Sequence, residues 1–342
     1  MQKPIVTGLM AYGMSGKIFH APFLKTHPGF KFHAVLERTQ QSAQKDYPEI
    51  TSVKSADDLF NDQEIELLII NTPNYTHYEL AKKALLSNKH VLIEKPATTT
   101  SAEIKELFDL GRSRNKKVMV YQNRRYASDY LATKNILDSG SLGEIIEMHL
   151  RFDRYRNFIG PKEFKETSLP GSGILYDLGS HLLDQSLCLF GNPAHFHKTL
   201  GKFRKGSEVD DYAHLHLQYT NKMNVFITMS MLAADPQPGI VIHGTKGSFI
   251  KSFCDTQEEQ LQAGMLPDDE DFGKEPSGNE GLLTVMDEGG LKSQKLIASR
   301  EGRYIDFFEA VYQTTRNEKE FPVKEEEIIW QLELLEKTPE FD

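Results

Sequence analysis

Short apolar runs alternate with helix-patterned segments from residue 4 to about 121, and this rhythm restricts the possible folds more than any other feature of the chain. Ile5 to Met10, Phe32 to Leu36, Leu67 to Asn71, His90 to Ile93 and Val118 to Tyr121 read as strands, while Gly16 to Lys25, Thr76 to Leu86 and Ser101 to Arg114 carry helical periodicity. Such alternation implies crossover helices, and hence a parallel sheet covered on both faces. Asn74 is placed to cap the second of these helices, and Glu103 and Glu106 put acidic groups at the start of the third, where the helix dipole favours them.

Beyond residue 122 the rhythm changes. A helix from about Ser128 to Asp138 stops at Gly140. Alternating strands follow at Ile145 to Tyr155, Tyr212 to Tyr219, Asn224 to Leu232 and Ile240 to His243, with one amphipathic helix from Leu175 to Phe190 between them. Pro267 to Gly281 reads as an acidic surface excursion, and helices near Arg303 to Arg316 and Lys324 to Glu336 close the chain. The expected class is α/β, with an N-terminal doubly wound parallel sheet in residues 1–122. Residues 123–342 then form an α+β domain with a large, mostly antiparallel open sheet. A length of 342 residues suffices for two such cores.

Forty basic and 49 acidic side chains leave a net charge of −9, which disfavours nucleic acid and anionic membrane surfaces as partners. Cys188 and Cys254 cannot form a disulfide framework, no run of 18 apolar residues could span a bilayer, and the first residues resemble no leader peptide. A cytoplasmic enzyme without membrane contact is the expectation. His214 and His216 share one face of a strand with no completing carboxylate or thiol nearby in sequence, so no metal site is expected.

The first strand runs into Ala11-Tyr12-Gly13-Met14-Ser15-Gly16 and then a helix. This is where a dinucleotide-binding Rossmann fold needs a tight turn close to the pyrophosphate. Ala11 occupies the slot usually held by the first glycine, so the turn must use a conformation open to residues with a Cβ. At the end of the second strand Glu37 favours NAD, through the ribose hydroxyls, and Arg38 favours NADP, through its phosphate. An ordinary exposed Glu-Arg pair at a strand end is the alternative reading. Two later strands deliver Thr72-Pro73-Asn74 with His77, and Glu94-Lys95-Pro96, to the edge where such sheets bind ligands. Asp177 and His181 stand four apart on the Leu175 to Phe190 helix, one turn from each other on a shared face.

Together, Gly13-x-x-Gly16 followed by Phe19-His20, Thr72-Pro73-Asn74 with His77, Glu94-Lys95-Pro96 and a strand-rich second half resemble the Gfo/Idh/MocA oxidoreductases. Within that family the runs Tyr121 to Arg125, Tyr155-Arg156 and Gly173 to Gln185 look closest to the NADP-dependent scyllo-inositol dehydrogenases. The resemblance implies that Ala11 to Gly16, Glu37, Arg38, Thr72 to Asn74, His77, Glu94 and Lys95 bind the dinucleotide, and that Lys95, Asp177 and His181 are catalytic. An imidazole suits proton removal from a secondary alcohol near neutral pH, which makes His181 the expected general base. Lys95 would stabilise developing alkoxide charge, and Asp177 would hold substrate hydroxyls or steady the active-site charges. Arg124, Tyr155 and Tyr176, with the catalytic three, are candidate contacts for a cyclic polyol or sugar, although salt bridges and packing explain any one of Arg124, Tyr155 and Tyr176 at least as well. A homo-oligomer, dimer or tetramer, is also implied. The rival functions are an NAD-dependent glycoside hydrolase and a dinucleotide-sensing protein without turnover.

Overall fold

The computed structural model describes residues 3–39, 41–160 and 163–338. Two compact units divide the chain. The first contains the described parts of 1–123 together with 257–272 and 303–332, and the second contains the described parts of 124–256, with 273–302 and 333–338. The chain thus returns twice to the first unit after leaving it, where the sequence suggested one crossing near residue 122.

In the first unit the described residues form a six-stranded, wholly parallel sheet. Its strands are β1 (Ile5–Leu9), β2 (Phe30–Leu36), β3 (Thr51–Val53), β4 (Leu67–Ile70), β5 (His90–Ile93) and β6 (Val118–Val120), in the order β3-β2-β1-β4-β5-β6. Every residue of β1 and β4 is buried, as expected of strands covered on both faces. A Cβ on Gly8 of β1 would stand 2.7 Å from Leu68 Cδ2 and 3.0 Å from Ile65 Cδ1, so a larger residue would push these side chains aside. The order reverses between β1 and β4, and ligands of doubly wound sheets bind beyond such a switch point, at the carboxyl edge.

Aromatic packing explains the second return. Helix Tyr304–Asn317 brings Phe307 to 4.9 Å from Tyr121 and stacks Phe308 on Phe23 at 5.0 Å between ring centroids. Arg316 closes the seam with two 2.8 Å bonds to the Glu66 carboxylate. The helix after β5 starts from a capping box: Thr100 Oγ1 accepts from Glu103 N, and Glu103 Oε2 accepts from Thr100 N. The following-loop helix His77–Leu86 is entered instead through a tight turn at Asn74–Thr76, with Thr76 rather than Asn74 at its cap and no side-chain cap bond.

The second unit holds an eight-stranded sheet in the described residues. It consists of β7 (Ile145–Asp153), β8 (His195–Gly201), β9 (Tyr212–Gln218), β10 (Asn224–Ser230), β11 (Ile240–Gly244), β12 (Gly247–Lys251), β13 (Gly281–Met286) and β14 (Lys292–Ile297). The order is β14-β13-β12-β11-β7-β10-β9-β8, antiparallel throughout except between β7 and β10. Val225, Ile227 and Met229 of β10 face inward, and the helical segment Leu175–Phe190 packs on this side, with Gly179 allowing Met229 to approach. The stretch from Pro267 to Glu280 is turns and irregular chain, and Gly281 begins β13. No helix among the described residues is long and apolar enough to cross a membrane.

Candidate functional site

The glycine turn sits at the switch point of the first sheet. Ala11 has no positive φ, so a Cβ is tolerated in that slot. Asn71, the first residue after β4, reaches across: Ala11 N donates to Asn71 Oδ1 at 3.0 Å, and Asn71 Nδ2 donates to Ala11 O at 2.8 Å. Gly16 must be glycine, because a Cβ would lie 2.1 Å from Ala11 O, whereas no atom lies within 4 Å of the place a Cβ would take on Gly13. The open side at Gly13 and the close approach at Gly16 leave a cradle of the kind a dinucleotide pyrophosphate requires. Tyr12 donates to Asp46 at 2.8 Å, and Lys17 pairs with the same carboxylate at 2.9 Å. Met14 is exposed.

Glu37 and Arg38, adjacent in sequence, have separate environments. Glu37 is only 7% exposed, and its oxygens accept from Ser42 N and Oγ at 2.8 and 2.9 Å, Ala43 N at 3.2 Å and Ser52 Oγ at 2.8 Å. Burial raises the carboxyl, but the bonds from Ser52, Ser42 and Ala43 outweigh it and hold the group below its ordinary value. The expected ribose carboxylate is therefore engaged in fixing the Ser42–Ala43 turn against β3. Arg38 and Thr39 are exposed at the end of β2.

His77, expected beside the cofactor, is fully buried. Its Nδ1 lies 2.9 Å from Pro96 O and its Nε2 2.8 Å from Thr72 O. The ring thus ties the Thr72-Pro73-Asn74 loop to the Glu94-Lys95-Pro96 loop, and burial keeps the imidazole below its ordinary value. Glu94 performs a second tie. Its Oε1 accepts from Ser15 Oγ at 2.6 Å and meets His20 Nε2 at 2.9 Å, while its Oε2 accepts from Lys95 N at 3.1 Å. Although burial raises this carboxyl, His20, Ser15 and Lys95 bring it down to about 2. Lys95 itself is half-buried and precedes a cis peptide to Pro96.

Asp177 and His181 belong to the second unit. Their helix opens with a wide π turn over Leu175–Gly179 and becomes α-helical at Ser180–Phe190, a detail the 3.6-residue reading missed. A similar wide turn occupies Ser15–His20 after the glycine turn. Single π turns inside helices recur at functional sites. His181 is 6% exposed and Tyr176 half-buried. Asp177 Oδ1 accepts from Lys165 Nζ at 2.5 Å, an ammonium that the sequence reading did not single out.

The remaining candidates differ in kind. Arg124 is buried 3.6 Å from Asp255, with its guanidinium 4.9 Å from the Phe253 ring and 5.4 Å from the Phe152 ring, the surroundings of a packed structural cation. Arg125 makes a buried bidentate pair with Asp184, at 2.8 and 2.6 Å. Tyr155 is 60% exposed, beside a bridge to Leu232. His214 and His216 bond Thr228 and Asn224. No group of three metal-ligating side chains occurs among the described residues.

Residues 6–122 match the model of the oxidoreductase family with an NAD-binding Rossmann fold, and residues 130–250 match the GFO/IDH/MocA C-terminal domain. The oxidoreductase YdgJ of Escherichia coli is 36% identical over 98% of this chain and 96% of its own. The scyllo-inositol 2-dehydrogenase (NADP(+)) IolW of Bacillus subtilis is 32% identical over 98% and 93%. A crystal structure of an oxidoreductase from Bacillus cereus covers 97% of this chain and 95% of its own, with 34% identity and a TM-score of 0.88. Both halves of the chain, and relatives spanning nearly all of it, place this protein in the Gfo/Idh/MocA family of oxidoreductases.

Proposed function

We propose that the protein is an NADP-dependent dehydrogenase that oxidises a secondary hydroxyl of a cyclic polyol or sugar, or reduces the corresponding ketone. The observation carrying this reading is the placement of Asp177 and His181 four residues apart on either side of the π-to-α junction of a largely buried helix, in a chain whose β5 edge presents Lys95. Full-length similarity to a protein named as a scyllo-inositol dehydrogenase supports the substrate class.

Each side chain has a defined task. His181 takes the hydroxyl proton as the alcohol is oxidised and returns it in reduction. Lys95 donates to the reacting oxygen and stabilises its developing negative charge. Asp177 accepts from neighbouring hydroxyls and orients the ring. The bound nicotinamide supplies the hydride acceptor or donor. Arg38 favours the phosphorylated dinucleotide because Glu37, turned inward, leaves no free carboxylate on that strand end to repel the phosphate. Assembly as a homo-oligomer finds support in the half-exposed face of the large sheet, where Phe226 stacks between His149 at 4.9 Å and His216 at 4.6 Å.

The test is an absorbance screen at the nicotinamide band, with inositols and common aldoses against NAD and NADP in both directions. Net reduction of the dinucleotide with a polyol is expected. Glycoside cleavage without net absorbance change indicates the hydrolase instead, and dinucleotide binding with no turnover on any polyol indicates a sensor.

A further inference from the structure

The ammonium on Asp177 comes from an unusual place. Lys165 lies on a single helical turn, Glu163–Glu166, and is 32% exposed, against 20% for Asp177. An exposed Lys-Asp pair ordinarily contributes little, because two long side chains lose rotamer freedom in meeting. Here the backbone of the turn is already held by the neighbouring residue, which leaves only the side chains of the pair to be ordered. Glu166 takes Arg204 Nη2 at 2.7 Å and Nη1 at 3.4 Å, and also accepts from Gly160 N at 2.9 Å. Arg204 is 2% exposed and donates further to Asp211 at 3.2 Å and to Phe158 O at 3.0 Å. Main-chain contact completes the anchorage, since Gly173 N donates to Lys165 O at 3.3 Å and Asp177 N to Gly173 O at 3.1 Å.

A buried Glu-Arg-Asp cluster is a weak source of stability, because desolvation offsets most of the attraction. What such a cluster does provide is a fixed position, and the position fixed here is that of Lys165. Its Nζ consequently meets Asp177 Oδ1 at 2.5 Å from an already ordered backbone. One helical turn further on is His181.

We propose that Lys165 is a positioning residue for the reaction: anchored through Glu166 and Arg204, it fixes the Asp177 carboxylate in one orientation for the hydroxyl groups of the substrate. This rests on the polyol dehydrogenase reading above. Lys165 acts through Asp177 and does not take part in proton or hydride movement.

The test compares Lys165→Met, Lys165→Arg, Asp177→Asn and the Lys165→Met/Asp177→Asn double variant of the full chain. The probes are scyllo-inositol and glucose with NADP, in steady-state kinetics, alongside dinucleotide titration and thermal unfolding. Lys165→Met is expected to raise KM for the polyol about tenfold, the loss of one charge-assisted contact. The same change should leave dinucleotide affinity and melting temperature as in the wild type. Lys165→Arg is expected to restore KM to within about twofold, since a guanidinium can hold the same carboxylate. The double variant should be no worse than Asp177→Asn alone, because one residue works through the other. Wild-type kinetics in Lys165→Met, no rescue by arginine, or losses that multiply in the double variant would each overturn the proposal. A wild-type enzyme inactive on both probes with either dinucleotide is a different failure: it removes the polyol reading, and this inference with it.

Discussion

Asn71 and Ala11, sixty residues apart, exchange two hydrogen bonds across the switch point of the parallel sheet, at 3.0 and 2.8 Å. The side-chain amide pairs with the turn as a strand backbone would, extending the β1–β4 ladder by one step beyond Ile69 and fixing where the glycine turn begins. Asn71→Ala removes both partners and leaves the Ala11 N–H and carbonyl to find water. Dinucleotide affinity should fall about tenfold with the protein still folded, as measured by fluorescence titration. Undiminished affinity would show that the turn holds its shape unaided.

Glu37 and Arg38 should separate cleanly under mutation. Arg38→Ala is expected to weaken NADP by about tenfold or more while sparing NAD, as befits loss of a charge-assisted phosphate contact. Glu37→Ala should instead lower stability by about 1 to 3 kcal/mol, because it strands the donors of Ser42, Ala43 and Ser52. Titration of both dinucleotides and urea unfolding distinguish the two outcomes. A change of cofactor preference in Glu37→Ala would contradict the inward role.

Glu94 gives the fold a specific acid sensitivity. Its carboxyl is held at about 2 against an ordinary 4.5, so the unfolded chain binds the extra proton as pH falls. The resulting stabilisation, roughly 3 kcal/mol, is fully present above about pH 4.5 and is lost progressively toward pH 2. Glu94→Gln should flatten that part of the stability profile in urea unfolding at stepped pH. It should also lower kcat, since one of the two oxygens shared by Ser15, His20 and the Lys95 amide is replaced by a donor.

His181→Ala is expected to reduce kcat by about 100-fold or more, the usual contribution of a positioned acid–base group. Dinucleotide affinity should stay unchanged. Pre-steady-state and binding measurements check this together, and equal loss of both would remove His181 from proton transfer.

Asp184→Ala leaves the Arg125 guanidinium buried without its 2.6 and 2.8 Å partner. Breaking a buried pair in this way costs about 3 to 5 kcal/mol, and thermal unfolding should show a large drop in Tm.

What could be read from the sequence followed from periodicity. β1, β4, β5 and β6 were legible as short, largely buried apolar runs, and β2 through Phe32, Ala34, Val35 and Leu36 despite its exposed Lys31. Two of the edge strands were not: β3 is Thr-Ser-Val, and β14 is the exposed Lys-Ser-Gln-Lys-Leu-Ile, whose lysines protect an open sheet edge while erasing its apolar signal. The loops at Ala11 to Gly16, Thr72 to His77 and Glu94 to Lys95 were legible as segments at carboxyl strand ends, and the fold has them there. The direction in which Glu37 and His77 point was not legible, because short-range sequence does not reveal that Ser52 or Pro96 O supplies the partner. Asn71 could have been noticed as a polar residue directly ending an all-buried strand. Lys165 carried no signal, since its meeting with Asp177 depends on Arg204, dozens of residues further along.

The helix bearing Phe307 and Phe308 covers the first sheet from the far end of the polypeptide. A gene fragment truncated at codon 122 would encode the nucleotide fold stripped of this aromatic lining, leaving Phe23 and Tyr121 wet and the product prone to precipitate. Swapping cofactor modules between relatives therefore demands transplanting three separate stretches of DNA, with a single splice insufficient.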